Sequence, residues 1–234
     1  MNVDSFSLIP ELVFGISERK DGSLRLHQPD TEARRRLFCE KAGLPFDRLV
    51  SADLVHGTHV HVATEAEAGK TIAACDGLVT AAQDLFLTVT GADCFPLFAV
   101  DPYERIIGIA HAGWRGIASN ITKEFLARMT GLGADKQRLQ IAIGPGIRAC
   151  HFEVKDDVAS VFPDKASLLH ADGMTRIDLP ATIIRQLERE GIGRDQIEDS
   201  GACTYCLEET YFSRRRDQNG PLEAMMAYIG FRRS

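Results

Sequence analysis

The sequence predicts an α+β fold, formed as a single domain over residues 1–234, and three observations carry the prediction. Short apolar runs bounded by Gly, Pro or Asp follow one another with few helices between them, as expected where strands come in runs rather than in regular βαβ units. Helical periodicity is confined to three stretches. The chain has no internal repeat, low-complexity tract or Pro/Ser-rich linker. Its 234 residues, 44% hydrophobic and 26% charged, suit one large domain on a soft prior of about 100–200 residues per domain.

The elements follow in chain order. A helix is expected over 31–41. Phe86-Leu87-Thr88-Val89-Thr90 is rich in β-formers and stopped by Gly91, which marks a buried strand. Residues 96–100, closed by Asp101-Pro102, form a second strand, and 106–110 a third. Ile117, Ile121, Phe125 and Met129 recur at i, i+4, so an amphipathic helix is expected over 117–129. Residues 139–143 form a strand ended by Gly144-Pro145-Gly146. Asp178 as N-cap, Pro180 in the first turn, the stripe Ile183, Ile184 and Leu187, and the Gly191 stop define a further helix. Residues 224–231 read as a short closing strand.

Composition excludes several functions. The formal net charge is −6 and no basic stripe is present. Arg214-Arg215-Arg216 is too short to act as one, so no nucleic-acid partner is expected. No apolar run approaches the roughly 18 residues of a membrane-spanning helix. Met1-Asn2-Val3-Asp4-Ser5 lacks the basic start of a signal peptide. The six cysteines are then read as thiols, some of them metal-binding, and the cytoplasm is the expected location.

Three segments carry residues suited to chemistry: Val55-His56-Gly57, Gly91-Ala92-Asp93-Cys94-Phe95-Pro96 and His111-Ala112-Gly113-Trp114-Arg115-Gly116. In the last two, a possible metal ligand stands at the end of a predicted strand beside glycine. Strand ends hold side chains rigidly, and glycine lets a ligand approach. The two turns face each other if their strands are neighbours. His56, Cys94 and His111 would supply two imidazoles and a thiolate, the donor set of a zinc ion with an open fourth position. Spacing alone leaves the ordinary alternative open, since a His or Cys at a strand end is commonly a packed core residue. The helix start after His111 exposes free amides, and Arg115 would reinforce an anion site there. Cys203-Thr204-Tyr205-Cys206 reads as half a zinc site, a redox pair or two unrelated loop thiols, and Cys150-His151 as extra ligands or ordinary strand. His59 and His61 alternate with Val60 and Val62, as on a solvated strand face.

Together these segments resemble the laccase-domain family, also called multicopper polyphenol oxidoreductases and now regarded as purine nucleoside phosphorylases. The resemblance spans most of the chain. Besides the three segments it runs through Asp76-Gly77-Leu78-Val79-Thr80, Ile143-Gly144-Pro145-Gly146-Ile147, Cys150, Glu153-Val154, Cys203-Thr204, Phe212-Ser213 and Arg215-Arg216-Asp217. It implies zinc bound by His56, Cys94 and His111. It implies an α/β/β/α sandwich with mixed sheets, and phosphorolysis of adenosine, inosine, guanosine and 5′-methylthioadenosine to base and ribose 1-phosphate, with adenosine deamination besides. Purine nucleoside and phosphate would be the partners of a monomer or homodimer. The chain departs from the family pattern in three places. Glu18-Arg19-Lys20-Asp21-Gly22 stands where Thr-Arg-His-Gly-Gly is frequent, Leu54 where Gln is common, and Arg214 where Tyr is common. These changes bear on substrate preference.

For deamination, Asp93 beside Cys94 is the candidate proton shuttle for water attacking C6 of adenine; a turn-capping role is the alternative. For phosphorolysis, Arg19, Arg115 and Arg215 are the phosphate candidates, because guanidinium pairs with phosphate through paired donors. Four rival readings stand beside this one. Two His and a Cys also form the first shell of a blue-copper centre, so copper can bind, although seven histidines leave few for a four-copper oxidase. Cys94 with His111 as base would make a cysteine hydrolase. A zinc-stabilised binding module or a protein editing cell-wall peptidoglycan would need no nucleoside.

Overall fold

Strand alternation in the computed structural model, which describes residues 4–162 and 168–232, sorts the core into layers. Met1, Asn2 and Val3 of the N-terminal stretch lie outside the described residues. The first sheet takes strands in the order β1 (Leu12–Ile16), β14 (Met225–Phe231), β6 (Phe86–Gly91), β2 (Leu49–Ala52) and β4 (Thr71–Ile72). The second runs β13 (Ile197–Asp199), β9 (Gln140–Ile143), β7 (Phe95–Asp101), β8 (Ile106–Ala112), β5 (Gly77–Thr80) and β3 (Val60–Val62). A small antiparallel sheet of β10 (Glu153–Val154), β12 (Met174–Ile177) and β11 (Leu168–Ala171) stands apart from both. Both large sheets are mixed: β14 pairs β6 antiparallel while β2 pairs β6 parallel, and β7 pairs β8 antiparallel while β13 pairs β9 parallel.

Side chains on successive residues of a strand face opposite ways. In β6, Leu87 and Val89 pack with Phe98 and Val100 of β7 and Ile107 and Ile109 of β8, so this cluster fills the space between the two sheets. Phe86, of opposite parity, joins Phe38 and Cys39 of helix α2 (Thr31–Ala42) on the outer face of the first sheet. On the outer face of the second sheet, Phe95, Leu97, Ala99 and Ala110 pack against two helices, α4 (Ile121–Gly131) and α6 (Leu179–Arg189). The order helix, sheet, sheet, helix is the α/β/β/α sandwich. Each Leu, Ile or Phe fully buried in these layers contributes about 1.5–3 kcal/mol relative to exposure. Helix α2 is further tied to its sheet by the buried Arg35, which donates to Ser51 Oγ at 2.9 Å and Thr88 Oγ1 at 3.0 Å.

The predicted strands at 86–90, 96–100, 106–110, 139–143 and 224–231 all form, with ends moved by a residue or two. The helices at 31–41 and after Asp178 form as well, the latter capped by the Asp178 carboxylate, which accepts the Ala181 amide at 2.9 Å. The helix expected over 117–129 is two helices, α3 (Trp114–Ala118) and α4, separated at Ser119–Asn120. Asn120 takes φ 62, ψ 53, a left-handed conformation that asparagine tolerates and that ends any right-handed helix. The apolar i, i+4 stripe continues across the break, which is why periodicity alone reads one helix. No helix among the described residues is long and apolar enough to cross a membrane.

A candidate metal centre between the sheets

The chain passes between the two large sheets at two loops on the way to the site, and each loop carries one of the candidate ligands. Cys94 lies between β6 of the first sheet and β7 of the second, and His56 between β2 and β3. His111 stands near the end of β8, with the same parity as Ile107 and Ile109, so it shares their side of the sheet. The β7–β8 register pairs Phe95 with Ala112 and Pro96 with His111, and the two glycine-bearing turns are therefore adjacent, as expected if their strands were neighbours. One ligand atom from each of His56, Cys94 and His111 lies within 4.8 Å of the others, and the two imidazole rings stand 4.8 Å apart at 88°.

Asp76, at the start of the strand beside β8, organises this trio. Its carboxylate is fully buried. Oδ1 accepts the His56 amide at 2.8 Å and Nδ1–H of His111 at 3.0 Å, and Oδ2 accepts the Gly57 amide at 2.7 Å. The carboxylate can only accept here, so His111 carries a proton on Nδ1, and Nε2 is the nitrogen left available to a metal. His56 itself has φ 61, a conformation unfavourable for a side chain with a Cβ, held in place by these amide bonds. Such an outer carboxylate behind a ligating histidine raises the ligand's basicity and fixes its ring.

Cys94, His111 and Asp76 stabilise one another's charged forms. Burial by itself raises the Cys94 thiol, but the charge of His111 and hydrogen bonds from His111 and His56 outweigh it and bring the thiol down to about 6. Burial likewise works against protonated His111, yet Cys94 and Asp76 pull it up to about 9. Asp76 is held below the usual carboxylate range: burial opposes this, and the bonds from His111, Gly57 and His56 prevail. Space is reserved too. A Cβ on Gly113 would lie 3.1 Å from Cys94 Sγ and 3.4 Å from both His111 Cε1 and His56 Cδ2, and a Cβ on Gly116 would lie 2.8 Å from the Gly57 carbonyl oxygen. Two imidazoles, one ionisable thiol and a void that a methyl would fill suit a three-ligand transition-metal site.

The trio opens onto a cavity of about 690 Å³, within the range of small-molecule sites. Trp114, Phe152, Leu54 and Leu179 supply apolar wall, and Arg25, Arg115, Arg214 and Arg215 supply charge. The structure separates the sequence candidates. Arg115 lines the cavity, with its guanidinium 4.3 Å over the Trp114 ring. The helix behind it has only five residues, so its dipole adds little to the anion site expected there. Arg215 also lines the cavity, but its Nη1 and Nη2 donate to the Glu153 carbonyl oxygen at 3.0 and 3.1 Å. Arg19 does not line it. That side chain turns to Asp217, 3.4 Å away, and sits over Phe212, because the 19–21 turn packs against the loop before Asp217 rather than the cavity.

Asp93 lines the cavity with both carboxylate oxygens engaged: Oδ1 accepts the Thr204 hydroxyl and Oδ2 the Arg215 amide, each at 2.7 Å. Its carbonyl oxygen accepts the Ile147 amide at 2.8 Å. With φ 86, Asp93 is the knot that ties the Cys94 turn to two other loops. His61 bonds Glu67 at 2.8 Å and His59 is exposed, which agrees with the solvated strand face. Two residues at the site were not picked out from the sequence. Asp76 was noticed only within a longer segment, and Arg25 carried no signal at all.

Residues 23–232 match the family described as multi-copper polyphenol oxidoreductase laccase. The chain is 31% identical to a Bacillus subtilis protein named purine nucleoside phosphorylase YlmD, over 93% of this chain and 85% of that protein. It is 33% identical to adenosine deaminase RL5 from an unknown prokaryotic organism, over 78% of this chain and 75% of that protein. Among solved structures, YlmD from Geobacillus stearothermophilus superposes with a TM-score of 0.89 at 28% identity, covering 96% of this chain and 93% of that one.

Proposed function

The chain belongs to the multi-copper polyphenol oxidoreductase laccase family, and from that premise we propose that it is a zinc-dependent purine nucleoside phosphorylase that also deaminates adenosine. The single observation carrying this reading is the convergence of His56, Cys94 and His111, backed by Asp76, on one wall of a cavity that also offers aromatic surface and free cations. The names of the Bacillus relative and of the RL5 relative support the two activities. Adenosine, inosine, guanosine and 5′-methylthioadenosine are the proposed nucleosides.

His56, Cys94 and His111 would hold the zinc, which would supply Lewis acidity for activating water near neutral pH. The chain's own residues do the rest. Trp114 and Phe152 offer apolar faces on which a purine can stack. Arg115 and Arg25 have no carboxylate partner among the described residues and line the cavity, so they hold phosphate; Arg19 leaves that role. In phosphorolysis a phosphate oxygen bonds to C1′ as the bond to the purine nitrogen breaks, and the purine leaves with the electron pair and takes up a proton. Arg215 and Asp93 act as positioning residues: Arg215 braces the loop at Glu153, and Asp93 fixes the turn that presents Cys94. Leu54 and Arg214, two of the departures from the family pattern, line the cavity and set the choice of nucleoside. The whole of 1–234 acts as one domain. Six free thiols fit a reducing, cytoplasmic setting.

Copper chemistry of the laccase type is disfavoured by ligand supply. Among the described residues, the two groups able to hold a metal contain three histidines between them, too few for a trinuclear copper cluster. A cysteine hydrolase is the second reading, favoured by the Cys94 thiol at about 6 beside His111, itself oriented by Asp76.

The test is a product assay on zinc-loaded protein with adenosine, with and without phosphate, comparing wild type with Cys94→Ala. Phosphate-dependent adenine, inosine under both conditions, and loss of both in the variant are expected. A folded, zinc-loaded protein without turnover overturns the nucleoside reading. Activity of a metal-stripped protein that iodoacetamide abolishes stoichiometrically establishes the hydrolase instead.

A further inference from the structure

A second group of metal-ligating side chains lies outside the trio. Cys150 and His151 occupy the turn after β9, and Cys203 and Cys206 the loop after β13. One ligand atom from each of the four lies within 4.8 Å of all the others. We propose that Cys150, His151, Cys203 and Cys206 form a second, structural zinc site of the Cys₃His type.

The distances carry the proposal. A tetrahedral zinc with zinc–sulfur bonds of about 2.3 Å and a zinc–nitrogen bond of about 2.0–2.1 Å sets its ligands about 3.7 Å apart between sulfurs and about 3.5 Å apart between sulfur and nitrogen. Here Cys150 Sγ stands 3.6 Å from Cys203 Sγ and 3.8 Å from Cys206 Sγ. His151 Nδ1 stands 3.2 Å from Cys150 Sγ and 3.4 Å from Cys206 Sγ. Four of the six edges are those of a zinc tetrahedron to within a few tenths of an ångström, and the other two lie within 4.8 Å. A disulfide needs sulfurs about 2.05 Å apart, and any one disulfide would leave a third thiol and the imidazole without a purpose. Cys203 and Cys206 have the two-residue separation of a zinc knuckle. The His151 ring is held by stacking on Tyr205 at 4.0 Å and 14°, which fixes the direction of Nδ1.

The surrounding backbone is already fastened in the same register. Gly146 bridges to Cys203 in parallel, and Arg148 forms a two-pronged ion pair with Asp199 at 2.9 and 2.6 Å. Four protein ligands leave no open position, which marks a structural ion rather than a reactive one. What it would steady is the neighbouring cavity wall. Thr204, between the two loop cysteines, bonds Asp93, and Arg215 donates to the His151 carbonyl oxygen at 3.2 Å.

This inference does not rest on the trio, and metal stoichiometry separates the two. Zinc per chain is measured by elemental analysis in wild type, Cys94→Ala and Cys150→Ser/Cys206→Ser. Expected values are two, one and one. A Cys94→Ala protein that keeps one zinc supports the second site, even if wild type also holds only one, in which case the trio reading fails. A folded Cys94→Ala protein without zinc overturns the proposal. So does an intact mass lighter by two hydrogens with Cys150, Cys203 or Cys206 in a disulfide. If the double variant does not fold, cobalt substitution in Cys94→Ala decides. Strong sulfur-to-cobalt charge transfer with intense tetrahedral d–d bands is the expected spectrum, and a weak octahedral spectrum refutes the site.

Discussion

The Asp76 carboxylate accepts Nδ1–H of His111 at 3.0 Å while the Asp76 carbonyl oxygen accepts the His111 amide at 2.7 Å. One residue thus fixes both the ring and the backbone of His111, and through Oδ1 and Oδ2 it also holds the loop bearing His56.

Asp76→Ala is expected to weaken zinc binding at the trio by roughly 10–100-fold, the range found for outer partners of ligating histidines. Competition with a chromophoric chelator measures this. Affinity equal to wild type in a folded variant shows that Asp76 serves the backbone alone.

Gly113→Ala tests whether the trio needs the space beside it. The backbone there has φ −77, so alanine brings no conformational strain, and its methyl meets Cys94, His111 and His56 instead. Activity is expected to fall by roughly tenfold or more, since small misplacements at a reacting centre are costly. Thermal unfolding should shift little, and a large loss of stability would locate the damage in the fold.

Among the cavity arginines, Arg115→Ala is expected to raise KM for phosphate by roughly tenfold, as loss of one charged hydrogen-bonding group does. Arg19→Ala should raise it at most about twofold, because Arg19 faces Asp217. Initial rates at varied phosphate decide, and the reverse ranking would restore Arg19 as the phosphate ligand.

Acid stability should depend on Asp101. This carboxylate is fully buried and accepts the amides of Tyr103 at 3.0 Å and Asp135 at 2.9 Å, with Arg138 at 3.3 Å. Burial raises its pKa, but the amides of Asp135, Glu104 and Tyr103 and the Arg138 contact hold it below the usual value of 3.8. A depressed folded pKa contributes stability that is fully present above the unfolded pKa and is lost as pH falls through the folded one. Asp101→Asn should therefore destabilise by about 1–3 kcal/mol near neutrality and by progressively less below about pH 4. Urea melts across pH read this difference, and a gap that widens in acid contradicts it.

Two helices and five strands were legible because period, caps and Gly/Pro stops are local properties. The residues 117–129 show the limit: an apolar stripe persists through Asn120 although the backbone turns left-handed there. At the site, Cys94 and His111 drew notice because strand-end position and glycine neighbours are written along the chain, and His56 joined them through the family resemblance. Asp76 was present in a noticed segment, yet its role comes from β5 lying beside β8, with Gly77 opposite Ala110. Arg19 shows the complementary limit. A guanidinium advertises phosphate binding in any sequence, and only packing shows that this one is spent on Asp217.

The sequence by itself determined the fold class and the strand-end setting of Cys94 and His111, since each depends on neighbours a few residues away. Only the tertiary structure decided which arginines meet the cavity, which carboxylate stands behind His111, and that Cys150-His151 and Cys203–Cys206 converge. Those relations join residues about 20 to 120 positions apart. They depend on sheet order and loop packing, which no local pattern encodes.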